Sequence, residues 1–290
     1  MNSRVFSRHR QGTGETNGFV TGAGPEGGEV SMLDWNSLIN GITDVLMLTS
    51  RNLKRYVRIP QLLVFSSIQP VMFLLLFNYV FGGAIRVSTG SHSYIEFLLP
   101  GILMQVAMFG STATSVGLAD DLSKGMVDRF RSLPIARSAV LAGRTTADLL
   151  RNFFVVVLMV VIGMVLGFRF QGGFFHALAA LALVLLFAYS FSWISATIGL
   201  IVRDPETVQI ASFIWIFPLV FASGAFVPVA TMPSWLQDFA ANQPVTVTVD
   251  ALRSLMISGQ TYHVGRALLW TAGILVVFIF LAVRAYKRIP

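Results

Sequence analysis

Gln171–Val202, QGGFFHALAALALVLLFAYSFSWISATIGLIV, runs for 32 residues without one Asp, Glu, Lys or Arg. A helix crosses the hydrocarbon layer of a bilayer with about 20 apolar residues. A soluble core has no use for so long an uncharged run. Five more such stretches flank it: Pro60–Ile85, Phe97–Ala119, Asn152–Phe168, Thr207–Gln237 and Ala267–Val283. Together the six make up half of the 290 residues, and the 21 Lys and Arg and 14 Asp and Glu all fall in the other half. That segregation predicts an all-α polytopic membrane protein. Its six transmembrane helices lie at about 60–85, 97–119, 150–168, 174–202, 206–228 and 266–284, in a membrane domain covering 60–290.

The segments between the spans orient them. Counted along the chain, 17 Lys and Arg fall in the N-terminal segment, the 120–151 region, Arg203 and the C-terminus, against four (Arg86, Arg169, Arg253 and Arg266) in the alternate loops. Lys and Arg are retained on the cytoplasmic side, so both termini are predicted inside. The net charge of +7 therefore marks topology and anionic lipid head groups rather than nucleic acid. Residues 1–31 are glycine-rich and read as a disordered tail without a signal-peptide core, leaving the first span as an uncleaved insertion signal. Within 32–59, Leu38, Ile42, Val45, Thr49, Leu53 and Tyr56 make one apolar helical face ending in Arg51, Lys54, Arg55 and Arg58. This is expected to be an amphipathic helix in the membrane interface.

Several chemistries lack their residues. There is no cysteine, and the four histidines form no ligand-spaced pair. Asp120 and Asp121 are adjacent and suit helix N-caps better than a catalytic pair. No G-x-x-x-x-G-K-[ST] loop is present to hold nucleotide phosphates. The spans carry only neutral polar groups, among them Gln69, Gln105, Ser111, Gln209 and Ser212. An ion-coupled carrier places charge there, so that reading is disfavoured. Most of these groups read first as helix–helix hydrogen bonds.

A transporter without an engine needs a partner that has one. The loop 120–149 contains DLSKGMVDRFRSLPI, in which Met126, Phe130 and Leu133 fall on one helical face. Charges surround that face and Pro134 ends it, so it fits a groove on another protein as well as it fits lipid head groups. The external segment 229–265 carries apolar patches at Trp235, Leu236 and Phe239 and is expected as short surface or re-entrant helices.

Three stretches carry a family resemblance: QPVMFLLLFNYVFGGAI at 69–85, KGMVDRFRSLPIARSAVLAGRTTADLLR at 124–151, and MPSWLQDFAANQPVTVTVDALRSL at 232–255. In order and spacing the chain after residue 35 resembles the ABC-2 type permeases, a type V exporter-like fold, in particular the daunorubicin-resistance-like multidrug exporters. The resemblance implies a membrane subunit that binds no cofactor itself. It implies a second permease subunit, as homodimer or heterodimer, and two copies of a separate ATP-binding cassette ATPase that holds ATP and Mg. It makes Lys124, Gly125, Met126, Asp128, Arg129, Phe130, Arg131, Leu133 and Pro134 the segment that couples to that ATPase. Substrates would be hydrophobic or amphipathic molecules: drug, lipid or glycolipid. The candidate translocation pathway is Met104, Gln105, Met108, Gln209, Ser212, Phe213 and Trp215, with Met72, Phe73 and Phe217 as further apolar wall. Spans two and five, with Gly101, Gly110 and Gly224 among their small residues, are expected to face the second subunit. A membrane scaffold that moves nothing is the alternative from a different class.

Overall fold

A computed structural model describes residues 61–82, 94–124 and 137–287. The amphipathic helix expected at 32–59, the tail before it and the coupling residues 125–134 lie outside the described residues. Every described element is helical. In chain order they are α1 (Gln61–Leu76, extended by a π-helical turn at Phe77–Phe81), α2 (Tyr94–Ser123), α3 (Arg137–Val165), α4 (Phe174–Val202) and α5 (Pro205–Phe221). After a 3-10 turn at Val229–Thr231 come α6 (Ser234–Asn242), α7 (Pro244–Arg253, with a π-helical turn at Ser254–Ser258) and α8 (Val264–Lys287). Four of these are long and apolar enough to cross a membrane: α2, Leu141–Val165 of α3, α4, and Val264–Tyr286 of α8. Apolar side chains that a water-soluble protein would bury stand exposed, such as Phe154 and Val165 on α3 and Leu269, Val276 and Phe280 on α8. A lipid-facing belt accounts for them.

α2 is the central post. Its side chains from Tyr94 to Ala119 are mostly buried, and it packs on α3, α4 and α5. Without a hydrophobic drive between helices in lipid, small and hydroxyl residues supply the fit. Ser111 Oγ lies 2.9 Å from Ser195 Oγ of α4, and Ser115 Oγ lies 3.2 Å from Ser212 Oγ of α5. A Cβ on Gly101 would sit 2.0 Å from the Ala225 carbonyl oxygen, so only glycine admits the chain that follows α5. The small residues expected to face a second subunit are thus spent within this one.

Two expected span boundaries move. The third span, expected at 150–168, begins at Arg137, so the last part of the 120–149 loop is the first half of α3. The fifth, expected at 206–228, ends at Phe221. Beyond it the backbone is captured laterally: Gln243 Nε2 donates to the Ala222 carbonyl at 2.6 Å, and the Gly224 N–H donates to Thr246 Oγ1 at 3.0 Å. Within the 229–265 segment, two short helices form, and only the α7 part packs into the bundle. Val245, Val247, Val249, Leu252, Leu255 and Met256 join the main core, while Trp235 and Phe239 on α6 remain exposed. Asp120 and Asp121 do not cap an N-terminus: they end α2, held by Lys124 at 2.7 Å and Arg144 at 2.6 Å. The N-cap is Asp204 instead. Arg203 adopts a left-handed φ of 62° and closes α4, and Asp204 accepts the Thr207 N–H at 2.8 Å to open α5.

Candidate functional site

The bundle encloses a cavity of about 250 Å³ between α1, α2, α3 and α5. α1 contributes Ser66, Gln69 and Pro70; α2 contributes Gln105, Val106, Phe109, Gly110, Thr112 and Ala113. α3 adds Arg151, Asn152 and Val155, and α5 adds Gln209 and Phe213. The rim is open at Gln69 and Gln209, which are exposed, and the floor is closed. Phe109 and Phe213 meet with ring centroids 5.5 Å apart on the α2–α5 side. Polar atoms in the floor are left without protein partners. Gln105 is 3% exposed and its Oε1 accepts nothing; Asn152 is 1% exposed and its Nδ2 donates to nothing. Buried polar groups are nearly always hydrogen-bonded, so the unmet acceptor and donor on two residues of this lining stand out, as do Trp193 Nε1, Trp215 Nε1 and Gln243 Oε1 elsewhere in the bundle.

Helix packing puts them there. Gly110 leaves room on α2 for Asn152, whose Oδ1 would lie 2.2 Å from a Cβ at that position. The Arg151 guanidinium donates to the Gly110 carbonyl and, at 3.3 Å, to Asn152 Oδ1, which leaves the Asn152 NH2 packed near Gly110 without a partner. One turn earlier, Asp148 is 2% exposed and accepts Thr114 Oγ1 at 2.6 Å. The expectation of uncharged spans therefore fails in α3. It fails because the helix starts well before the uncharged stretch does, drawing Asp148 and Arg151 inside.

Of the expected pathway residues, Gln105, Gln209 and Phe213 are brought together on this cavity. Met104, Met108 and Ser212 are buried in packing, the last against Ser115. Trp215 stacks on Phe191 at 5.7 Å. Met72 faces outward, and Phe73 and Phe217 belong to an aromatic cluster further along the same helices. There Phe77 stacks on Phe226 at 4.8 Å, Phe217 on Phe221 at 4.2 Å and Phe221 on Phe226 at 5.2 Å, closing the bundle past the cavity. Asn152 and Arg151 were missed because they stand at the edge of an uncharged run. Their one sequence signal is that Arg151 follows Asp148 at i+3, the spacing of neighbours on a helix face. Lys124 ends α2 beside Asp120 and is 63% exposed in its side chain. Among the described residues no group of His, Cys, Asp and Glu could hold a metal.

An apolar helical bundle, belted for lipid and holding a cavity in its wall, defines a multi-pass membrane protein. The chain belongs to the ABC-2 type transporter family, whose model matches residues 43–257. It is 37% identical over 239 residues to the daunorubicin resistance ABC transporter permease protein DrrB1 of Streptomyces coeruleorubidus, covering 82% of this chain and 84% of that one. It is 28% identical over 249 residues to the probable doxorubicin resistance ABC transporter permease protein DrrC of Mycobacterium tuberculosis, covering 85% and 89%. A putative transport permease, ycf38 of Cyanophora paradoxa, is 28% identical over 218 residues, covering 74% of each.

Proposed function

We propose that this chain is the membrane-spanning permease subunit of an ATP-binding cassette exporter that moves hydrophobic or amphipathic molecules out of the cytoplasm or the inner leaflet. The observation that carries the reading is the near full-length match to a permease of an ABC transporter named for daunorubicin resistance. ATP and Mg act on a separate ATPase, present in two copies. A second permease subunit, identical or not, completes the pathway. The chain lies in the cell membrane with six spans and both termini in the cytoplasm; α1 with its π-helical turn and α5, each shorter than the other four, complete the six. Lys124–Pro134 is the coupling segment, and Phe130 is its anchor because a buried aromatic dominates a small interface. Amphipathic drugs are the first cargo to test, lipids and glycolipids the next.

The test is transport by the complete complex in proteoliposomes. ATP-dependent movement of daunorubicin or of a labelled lipid is expected, and Phe130→Asp abolishes it while leaving the chain inserted. ATP-dependent movement of a small inorganic ion, with none of any drug or lipid, overturns the reading. Single cysteines at Ser132 and Ser258 are expected to label from the cytoplasmic and external sides respectively, and the reverse labelling overturns the topology.

A further inference from the structure

The two ends of the bundle expose different side chains. Contacts bring the close of α1, α3 and α5 together with the start of α2, α4 and α8. Phe77 stacks on Phe226, Tyr94 Oη donates to the Phe226 carbonyl, and the Gln171 N–H donates to the Met256 carbonyl. Among the described residues, the exposed Tyr and Trp side chains all stand at this end: Tyr79 after α1, Trp235 on α6, Tyr262 before α8 and Trp270 within it. The α4–α5 turn at the other end exposes Arg203, Asp204 and Glu206 instead. Tyr and Trp gather where a membrane meets water, because each joins a large apolar ring to a group that hydrogen-bonds. The surface of α6 divides into three. Ala240 is buried, with Leu236 half-buried on the same face. Trp235 and Phe239, at i and i+4, form an outward stripe, 78% and 51% exposed. Ser234, Asp238 and Ala241 make up the remaining exposed side. Asn242 continues the stripe at i+7 from Trp235, and its Oδ1 accepts from Arg266 Nη2 of α8 at 3.3 Å. The stripe thus faces the side on which α8 enters the lipid belt, where Leu268, Leu269 and Trp270 are exposed in succession.

We propose that α6 is a membrane anchor: Trp235 and Phe239 insert among the lipid head groups at this end of the bundle, while Asp238 stays in water. This depends on the bundle crossing a bilayer and on nothing about what it transports. The partner is the bilayer itself rather than a second subunit or a cargo, because the stripe runs on into the lipid-facing side of α8. In water both rings would leave apolar area uncovered. At the head groups they are covered, and the Trp235 indole N–H still finds an acceptor. Arg266 stands at the same level, where a cation meets lipid phosphates. Gln243 alone separates α6 from α7, so the depth of the anchor fixes where α7 enters the core.

The test uses the full chain in lipid nanodiscs, without ATP. The emission of Trp235 is obtained as the difference between the parent and Trp235→Phe. Lipid brominated just below the head group is expected to remove most of that emission, whereas lipid brominated at the chain end, or iodide in the water, removes much less. Because the sequence has no cysteine, single spin labels at Phe239→Cys, Asp238→Cys and Val276→Cys give a second measurement. Oxygen, which concentrates in lipid, is expected to reach the labels at positions 239 and 276, and a water-soluble nickel chelate the label at 238. Iodide quenching of Trp235 as complete as that of free tryptophan, or a label at 239 open to nickel, would put α6 in water and overturn the anchor. Shielding of Trp235 from lipid and water alike would mean that protein covers it, as at an interface between two copies, and overturns the anchor equally. A label at 276 open to nickel would remove the bilayer itself from the account; lipid at 276 with water at 239 removes the anchor alone.

Discussion

Arg253 and Arg151 both sit inside the helical bundle, and what surrounds each tells the two ends of the molecule apart. Around Arg253, at the junction of α7 with α2, every direction is filled. The guanidinium carbon lies 3.6 Å over the Phe97 ring, and its N–H groups donate to the carbonyls of Phe97 at 3.0 Å, Gly224 at 2.7 Å and Ala225 at 3.3 Å, with Asp250 at 3.2 Å. Pro100 interrupts the backbone ladder of α2 one turn away, and Ala222–Pro228 forms no regular helix. Arg253 gathers the carbonyls that such irregular backbone exposes, which an apolar surrounding would otherwise leave unpaired. Around the cavity the accounting is left open, at Gln105 and Asn152. The saturated groups around Arg253 hold that junction together, whereas the cavity wall leaves two buried polar atoms unmatched.

The largest expected effect breaks the Arg253 junction. Arg253→Leu strands three carbonyls among apolar side chains and costs on the order of 3 kcal/mol. Thermal unfolding in detergent is expected to show a large loss of folded protein, with Arg253→Lys recovering part of it because a point charge cannot reach all three acceptors. A variant as stable as the parent would show that α7 is held by its valines alone. Gly101→Val attacks the same junction from α2, driving a side chain into the Ala225 carbonyl, and is expected to destabilise somewhat less because the turn after α5 has some freedom to shift. Gln105→Leu sharpens the contrast from the other side. It removes a buried acceptor that nothing satisfies, so stability is expected to hold or rise slightly. A large loss of stability would show that Gln105 is needed as Arg253 is.

The smallest effect lies outside both regions, at the α4–α5 turn. Thr207 donates to Asp204 through its side chain and its backbone, holding the Asp204 carboxyl below its ordinary value of 3.8. A carboxyl depressed by folding stabilises at pH above its unfolded value, and that contribution fades as pH falls through the folded one. Asp204→Ala is therefore expected to lower the unfolding temperature slightly at pH 7 and by progressively less below pH 3.8.

Much of the helical frame was legible because a bilayer writes it in charge. The fourth span, read as 174–202, is α4 residue for residue, bounded by Gly173 with a φ of +82° and by Arg203. What was not legible is where polar side chains go once inside. Val245-Thr246-Val247-Thr248-Val249 alternates like a strand of β-branched residues, yet it is a helix buried on all sides. Backbone groups remote from water must be satisfied within their own segment, and that requirement overrides propensity.

The candidate site divides in the same way. Gln105, Gln209 and Phe213 stood out as polar or aromatic groups inside apolar runs, and they do share a wall. Met104 and Met108 stood out equally and are core, because adjacent turns of one helix face different neighbours and only packing says which neighbour is empty space. By itself, then, the sequence determined the membrane environment and the principal helices, since these follow from hydrophobic length and from charge counted along the chain. Tertiary structure alone decided that Arg253 is consumed by carbonyls at the close of the bundle while Arg151 and Asn152 are drawn into it beside a cavity. The free energy of a buried charge depends on the few groups within hydrogen-bonding reach, and those come from helices far apart in sequence.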